Sequence, residues 1–390
     1  MADATPLSTP EDVQSGRSLW GSLALTLPLF LWSLLIFSRS FTKGAMAERA
    51  AVLLTIAFLT GLIFWMMRTG ETYAPRRIFF VTLGVLFPVG FITELIAQRG
   101  SMSIPLASIV AGDTPFCHLV IPVAAIPAAL TGTVFFPGSI LPTPDNPNSI
   151  ASMTALWLGG SILLGRGWCS WGCFFGGLDE GCASLARKPR RRNLDRRWTL
   201  FPWAVLIAAV VLTTLTFEPF YCVWLCPFKA VTEFSPPDSV KTALQFVVFT
   251  GLFLALVVVL PYLTKKRTQC AFFCPMGPIQ ALSNKLNVFE VVVDPVACVS
   301  CARCVRDCPT LAIAEGPDKR PQITMRCSRC GACVESCTKG AARWHIKGTP
   351  FSASPRTARL LFLYVAWIFA VMFGGSVIAN GLSKIFHLVV

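Results

Sequence analysis

Charge is scarce in this chain. Only 14% of its 390 residues are Asp, Glu, Lys or Arg, about half the share usual for a soluble domain. Histidine is scarcer still: His118, His345 and His387 are the only three, and no two of them sit in facing apolar segments. A bis-histidine haem in a helix bundle is therefore not expected, and no CxxCH haem-attachment motif occurs. There is no GxGxxG and no P-loop, so a bound dinucleotide or ATP has no support. No acid–base pair stands out, so no residue is singled out as catalytic. Any chemistry is expected to belong to cofactors, in an electron-transfer oxidoreductase subunit without its own terminal substrate site.

What is abundant is apolar sequence, at 54% of residues. Several stretches reach the roughly 20 residues that cross a bilayer. Seven spans are expected, at 19–38, 47–67, 78–97, 148–166, 199–217, 242–264 and 357–378, preceded by a polar tail at 1–18. The tail mixes both signs of charge and does not resemble a cleaved signal, so the first span is expected to be retained. The formal net charge of +14 sits in short loops beside these spans, which fits cytoplasmic loops better than a nucleic-acid surface. Arg68, Arg76 and Arg77 follow the second span. Arg187, Lys188, Arg190, Arg191, Arg192, Arg196 and Arg197 follow the fourth, and Lys265, Lys266 and Arg267 the sixth. Seven spans put all three groups on one side, which is then cytoplasmic, with the N-terminus inside and the C-terminus outside. Two apolar stretches broken by proline, 115–137 and 218–237, read as re-entrant or interfacial. Such backbone survives at membrane depth only where protein buries it or where it lines a cavity.

The 16 cysteines fall mostly in tight groups, which suits metal thiolates better than disulfides. Cys298, Cys301, Cys304 and Cys308 form CxxCxxCxxxC followed by Pro309, and Cys327, Cys330, Cys333 and Cys337 repeat it with Thr338 in the proline's place. This is the bacterial two-cluster spacing, in which the fourth cysteine of each run serves the other cluster. Cys298, Cys301, Cys304 and Cys337 are expected to hold one [4Fe–4S] cluster, and Cys327, Cys330, Cys333 and Cys308 the second. Thiolate quartets also suit zinc, but the doubled spacing points to a relay. Residues 291–349 are thus expected to be a small α+β two-cluster ferredoxin-like domain on the cytoplasmic side. Its excess of basic residues would attract an acidic ferredoxin or flavoprotein, or equally anionic lipid headgroups.

Three CxxxC pairs lie outside that domain: Cys169/Cys173, Cys222/Cys226 and Cys270/Cys274. On a regular helix, positions i and i+4 share a face, so each pair can present two thiolates together. The topology expected above puts Cys169, Cys173, Cys270 and Cys274 at the cytoplasmic edge, enough for one further cluster. It puts Cys222, Cys226 and Cys117 on the outer side, where His118 is a possible fourth ligand. Alternatives are plain packing, since buried cysteine is common, which is the better reading for Cys182, and an outer disulfide between Cys222 and Cys226. Arg166, close to Cys169, either tunes a cluster or contacts a quinone, or simply anchors a helix end.

TPFCHLVIPVAAIPAALTG, GRGWCSWGCFFGG and QCAFFCPMGPIQALSNKL, with the two-cluster segment after them, resemble the membrane polyferredoxins related to NapH, to the C-terminal part of NosR and to CcoG. The resemblance covers roughly 105–345. Phe174 departs from it, standing where these proteins carry proline, and the cysteines of EPFYCVWLCPF are absent from many of them. It implies an all-α membrane bundle with re-entrant half-helices. Three N-terminal transmembrane helices would occupy 19–97, a cysteine-bearing core 98–290, and a last transmembrane helix 356–390. It also implies an inner-membrane protein that passes electrons among quinol, cytoplasmic carriers and partner redox proteins on the membrane or periplasmic side. A quinone-reactive subunit and a metal-reducing assembly factor are the other expectations.

Overall fold

The computed structural model describes residues 17–98, 150–190, 194–216, 220–232, 238–316 and 319–389. The stretch 115–137, with Cys117 and His118, lies outside them. Five described helices are long and apolar enough to cross a bilayer: Leu19–Ser38, Met46–Thr69, Arg196–Thr216, Val240–Thr264 and Pro355–His387. These match the first, second, fifth, sixth and seventh expected spans. The third expected span, 78–97, lies within the 26-residue helix Tyr73–Gln98, whose first turn holds the fully buried Arg76. Of the fourth, 148–166, the described residues show the helix Ile150–Leu164. It ends because Gly165 takes a left-handed φ of 52°.

The long helices turn apolar side chains outward. Leu23, Leu27, Leu31 and Leu35, one helical turn apart, are exposed along Leu19–Lys43, and Ile207, Val211 and Leu215 do the same along Phe201–Thr216. Continuous apolar faces of this kind are rare on soluble monomers and suit lipid. Hydroxyls in these helices bond back to their own backbone, as Thr26 to Ser22 O, Ser33 to Leu29 O and Thr55 to Ala51 O. A group without water must be satisfied internally.

The chain divides into two units. The first comprises residues 1–90, 163–181 and 281–390. It contains the first three helices, the Cys169/Cys173 element, the ferredoxin-like lobe and the last helix. The lobe has two small sheets. Strand β1 (Phe289–Val293) pairs antiparallel with a late strand (Ala342–Ile346), with Val291 opposite Trp344. Strands β2 (Ile313–Glu315) and β3 (Pro321–Ile323) form the other pair; the late strand is β4. The lobe is seated on an aromatic cluster. Phe362 of the last helix lies 4.7 Å from Trp344, 5.6 Å from Phe289 and 5.8 Å from Trp171, ring centre to ring centre. The carboxylate of Glu335 accepts the backbone N–H groups of Thr72 and Tyr73. Arg359 donates to Met66 O, Glu71 O and the Thr72 hydroxyl, each at 2.7 Å. The 70–72 turn therefore lies against the lobe.

The second unit comprises residues 91–162 and 182–280. Its basic stretches meet at one helix end: Arg190 N donates to Leu263 O at 2.8 Å and Lys265 Nζ to Arg187 O at 3.3 Å. Residues 220–232 run back beside the Val240–Thr264 segment. Gln245 donates to Val223 O at 3.0 Å, Lys229 lies over the Phe249 ring, and Phe228 meets Phe253.

Within the first unit Tyr73–Gln98 and Phe174–Leu185 touch backbone to backbone. A Cβ on Gly84 would stand 2.5 Å from Gly177 C, and one on Gly177 only 2.1 Å from Phe80 O. Gly177→Ala is expected to cost about 1–3 kcal/mol through overpacking, whereas Gly61→Ala, where a Cβ meets nothing within 4 Å, should not destabilise. Thermal unfolding of the two variants in detergent checks the difference.

Candidate iron–sulfur sites

The two cysteine runs of the lobe have the same backbone. In the first, Ser300 and Ala302, either side of Cys301, take φ of 52° and 54°; in the second, Arg329 and Gly331, either side of Cys330, take 52° and 86°. Each run then closes with a one-turn helix, Arg303–Asp307 or Ala332–Ser336. Left-handed residues in such places cost energy unless they are glycine, and strain of this type gathers at functional sites. Here it curls three cysteines around one point.

The fourth cysteine of each run goes to the opposite group. Cys298, Cys301, Cys304 and Cys337 line one open cleft. Cys308 lies within electrostatic reach of Cys327, Cys330 and Cys333. Backbone N–H groups point at the sulfurs: Arg329 N at Cys327, Ala332 N at Cys330, and Ala312 N at Cys308 at 3.2 Å. Burial pushes the Cys330 thiol up to about 12, with Arg76 pulling the other way. Burial likewise pushes Cys304 up to about 11. Buried thiols of this kind become thiolates only when a cation compensates them, so loading releases protons. Among the described residues no three metal-donor side chains are close enough for a single ion. The doubled CxxCxxCxxxC spacing fits a polynuclear group, in which each thiolate binds a different iron, better than mononuclear zinc. Four thiols with N–H donors aimed at them fit [4Fe–4S] clusters.

The three CxxxC pairs also share a structure, but not one regular helix. Cys169 lies on the short helix Trp168–Trp171, and Cys173 follows its end, just before the helix Phe174–Leu185. Cys270 lies on Thr268–Phe272, and Cys274 follows it before Met276–Leu286. Cys222 lies on a π-turn, Tyr221–Leu225, and Cys226 ends it in extended conformation. Cys173 N donates to Trp168 O at 3.2 Å and Cys274 N to Gln269 O at 2.9 Å, the same five-residue closure. The i,i+4 face is thus interrupted. Pro227 and Pro275 disfavour helical backbone in the cysteine before them. Phe174 reaches the same break without proline, starting the next helix and stacking on Phe87 at 3.7 Å. Each second cysteine so stands at the entrance of a new turn or helix.

A second difference concerns the outer pair. Cys222, Cys226 and Cys274 all lie within electrostatic reach of the fully buried Tyr221, and Tyr221 meets Phe273 at 6.2 Å. Cys222 and Cys226 are therefore not remote from Cys274, because residues 220–232 turn back along their neighbouring helix. Cys222 forms no disulfide with Cys226.

Several residues that matter here were expected only as loop charges. Arg76 is fully buried, pairs with Glu180 and donates to Ser170 O, between Cys169 and Cys173, at 2.9 Å. Arg267 is fully buried and donates to Cys270 Sγ at 3.2 Å. The signal was present: Arg166 precedes Cys169 by three residues as Arg267 precedes Cys270. Arg329, also buried, donates to Phe289 O at 2.7 Å, to Leu164 O at 2.8 Å and to Asn284 Oδ1 at 2.5 Å. Burial lowers it to about 10, so it stays charged at neutral pH. Asn284 also accepts from Arg166 N and donates to Met325 O and Cys327 O, at 2.7, 2.7 and 2.9 Å.

Comparison with known families agrees with this geometry. The 4Fe-4S dicluster domain matches residues 290–338. The 4Fe-4S binding domain matches three stretches, 146–193, 199–235 and 247–290, each holding one CxxxC pair. The chain carries 4Fe-4S binding domains. YccM of Escherichia coli (strain K12), named for electron transport, is 28% identical over 45% of this chain and 50% of its own length. An uncharacterized protein of Methanocaldococcus jannaschii is 34% identical over 23% of this chain and 35% of its own. The regulatory protein NosR of Pseudomonas aeruginosa is 29% identical over 45% and 24%. The chain thus spans half or less of the relatives it matches, and no solved structure matches it.

Arg329→Met removes three hydrogen bonds and takes the guanidinium from Phe289 O and Leu164 O, while Asn284 Oδ1 keeps Arg166 N, at a cost on the order of 3 kcal/mol. Arg329→Lys should restore only part, since an ammonium lacks the planar fork. Both should lower the unfolding temperature, the Met variant further, and release iron absorbance together with the loss of fold.

Proposed function

We propose that the chain is a membrane electron-transfer protein that relays single electrons between a cytoplasmic carrier and the membrane or periplasmic side. The observation that carries this is the crossed pair of cysteine quartets in a lobe seated directly on the Cys169/Cys173 element. In this reading Cys298, Cys301, Cys304 and Cys337 hold one [4Fe–4S] cluster, and Cys308, Cys327, Cys330 and Cys333 another. Cys169, Cys173, Cys270, Cys274, Cys222 and Cys226 supply ligands for one or two more. When bound, such clusters supply one-electron redox chemistry at potentials set by charge, hydrogen bonds and burial. The chain's own residues hold the thiolates, aim N–H groups at them and exclude water.

The basic loops support a cytoplasmic lobe. In the first unit, Arg17 and Arg68 meet backbone to backbone at the helix end that carries the lobe. In the second, the Lys265 side chain donates to Arg187 O. Positive charge gathered at one end of apolar helices marks the inner face, as expected for a bacterial inner-membrane protein. Cys222 and Cys226, beside Cys274, read as part of one membrane centre rather than a separate outer one.

Iron and acid-labile sulfide per chain after anaerobic purification test this. About twelve to sixteen irons are expected. A Cys222→Ser, Cys226→Ser double variant should lose about four of them while the lobe's eight remain. A wild-type value of about eight would confine the clusters to the lobe and remove the membrane relay.

A further inference from the structure

The two quartets of the lobe are built differently around. Cys308, Cys330 and Cys333 are buried and Cys327 is half-exposed, whereas in the other quartet only Cys304 is buried, Cys298 and Cys337 are half-exposed and Cys301 is exposed. The buried quartet faces the membrane helices. The Trp171 indole N–H, in the turn between Cys169 and Cys173, donates to the carbonyl oxygen of Arg329, the residue before Cys330, at 3.3 Å. Arg76 ties to the same turn through Ser170 O and lies within electrostatic reach of Cys330. Two independent links thus join one quartet to the CxxxC element. The other quartet opens outward, with Val296 and Val299 exposed at 84% and 61%. Arg303, Arg306 and Lys339 stand exposed near it, and Asp307 pairs with Arg303 at 3.6 Å.

We infer that the two positions have separate duties. Cys298, Cys301, Cys304 and Cys337 form the exchange position, where a soluble one-electron carrier with an acidic face docks on the Val296–Val299 edge and its basic rim. Cys308, Cys327, Cys330 and Cys333 form the membrane-facing position, with Trp171 and Arg76 as positioning residues. The inference rests on the proposed cluster ligation. At docking the reduced carrier loses one electron and the exchange position gains it; no bond forms or breaks. An apolar centre with a charged rim matches the anatomy of transient interfaces, and opposite charges raise the encounter rate in a salt-dependent manner.

The test uses the full chain in detergent with both lobe clusters present by iron analysis. The probe is a reduced, acidic plant-type [2Fe–2S] ferredoxin. Arg303→Glu with Lys339→Glu should slow the second-order reduction of the chain at least tenfold at low salt and flatten its salt dependence. Glu180→Gln, which leaves the Arg76 guanidinium uncompensated beside Cys330, should raise the potential of one cluster signal in a redox titration followed by paramagnetic resonance. Cys301→Ala identifies the other signal, which should not move. Should Glu180→Gln fail to fold, Trp171→Phe keeps the ring, removes the indole donor and should lower the potential of the same signal. An unchanged reduction rate in the charge-reversed variant overturns the inference, as does a shift confined to the signal that Cys301→Ala perturbs. Failure of the underlying reading shows separately, as fewer than about eight irons in the wild-type chain before any rate is measured.

Discussion

The Arg329 guanidinium is buried in the first unit, where three oxygens from three stretches of chain share it: Leu164 O, Phe289 O and Asn284 Oδ1. A buried cation is tolerated only when its donors are met, so these stretches are held at one point. Leu164 ends the helix before the Cys169 element, Phe289 opens β1, and Arg329 itself lies inside a cysteine run. Its own carbonyl takes the Trp171 indole N–H. A single side chain thus fixes the register between a ligand loop and a membrane element. The left-handed backbone at Arg329 is part of that arrangement, because the turn that aims its N–H at Cys327 also sends the side chain inward.

Around this clamp the packing is aromatic rather than aliphatic. Trp171, Phe289, Trp344 and Phe362 come from four separate elements and meet edge to face or stacked. Such rings bury large area and keep few rotamers, which suits a joint between a polar lobe and apolar helices. Glu335 and Arg359 close the margin of the joint through backbone groups of the 70–72 turn. The lobe is thereby built into the first unit rather than tethered to it.

The lobe was legible in the sequence because its cysteines are local: two runs of fixed spacing go with two loops of the same backbone conformation. The membrane helices were legible where apolar length decides, as in Met46–Thr69 and Val240–Thr264. Legibility failed where tertiary contacts decide. The left-handed turn at Gly165, which brings the chain against Asn284, has no signal in the apolar pattern. Arg76 and Arg267 read as loop charges because composition does not reveal a buried Glu180 or a cysteine partner. The return of residues 220–232 was readable as a proline-broken stretch, but its bringing Cys222 and Cys226 to Tyr221 was not.

The interrupted CxxxC elements follow from one physical conflict. A continuous helix would satisfy its own N–H groups and leave none for sulfur. Breaking the helix at Cys173, Cys226 and Cys274 makes each second cysteine the first residue before a new turn, where N–H groups are unsatisfied and the local dipole favours negative charge. That lowers the cost of a thiolate in apolar surroundings. The buried arginines act in the same direction, Arg267 on Cys270 directly and Arg76 at the Cys169–Cys173 turn. In a medium that penalises charge, each such device is a permanent expense in stability. Its recurrence at three elements of different sequence is accounted for if those sulfurs carry charge in the working protein.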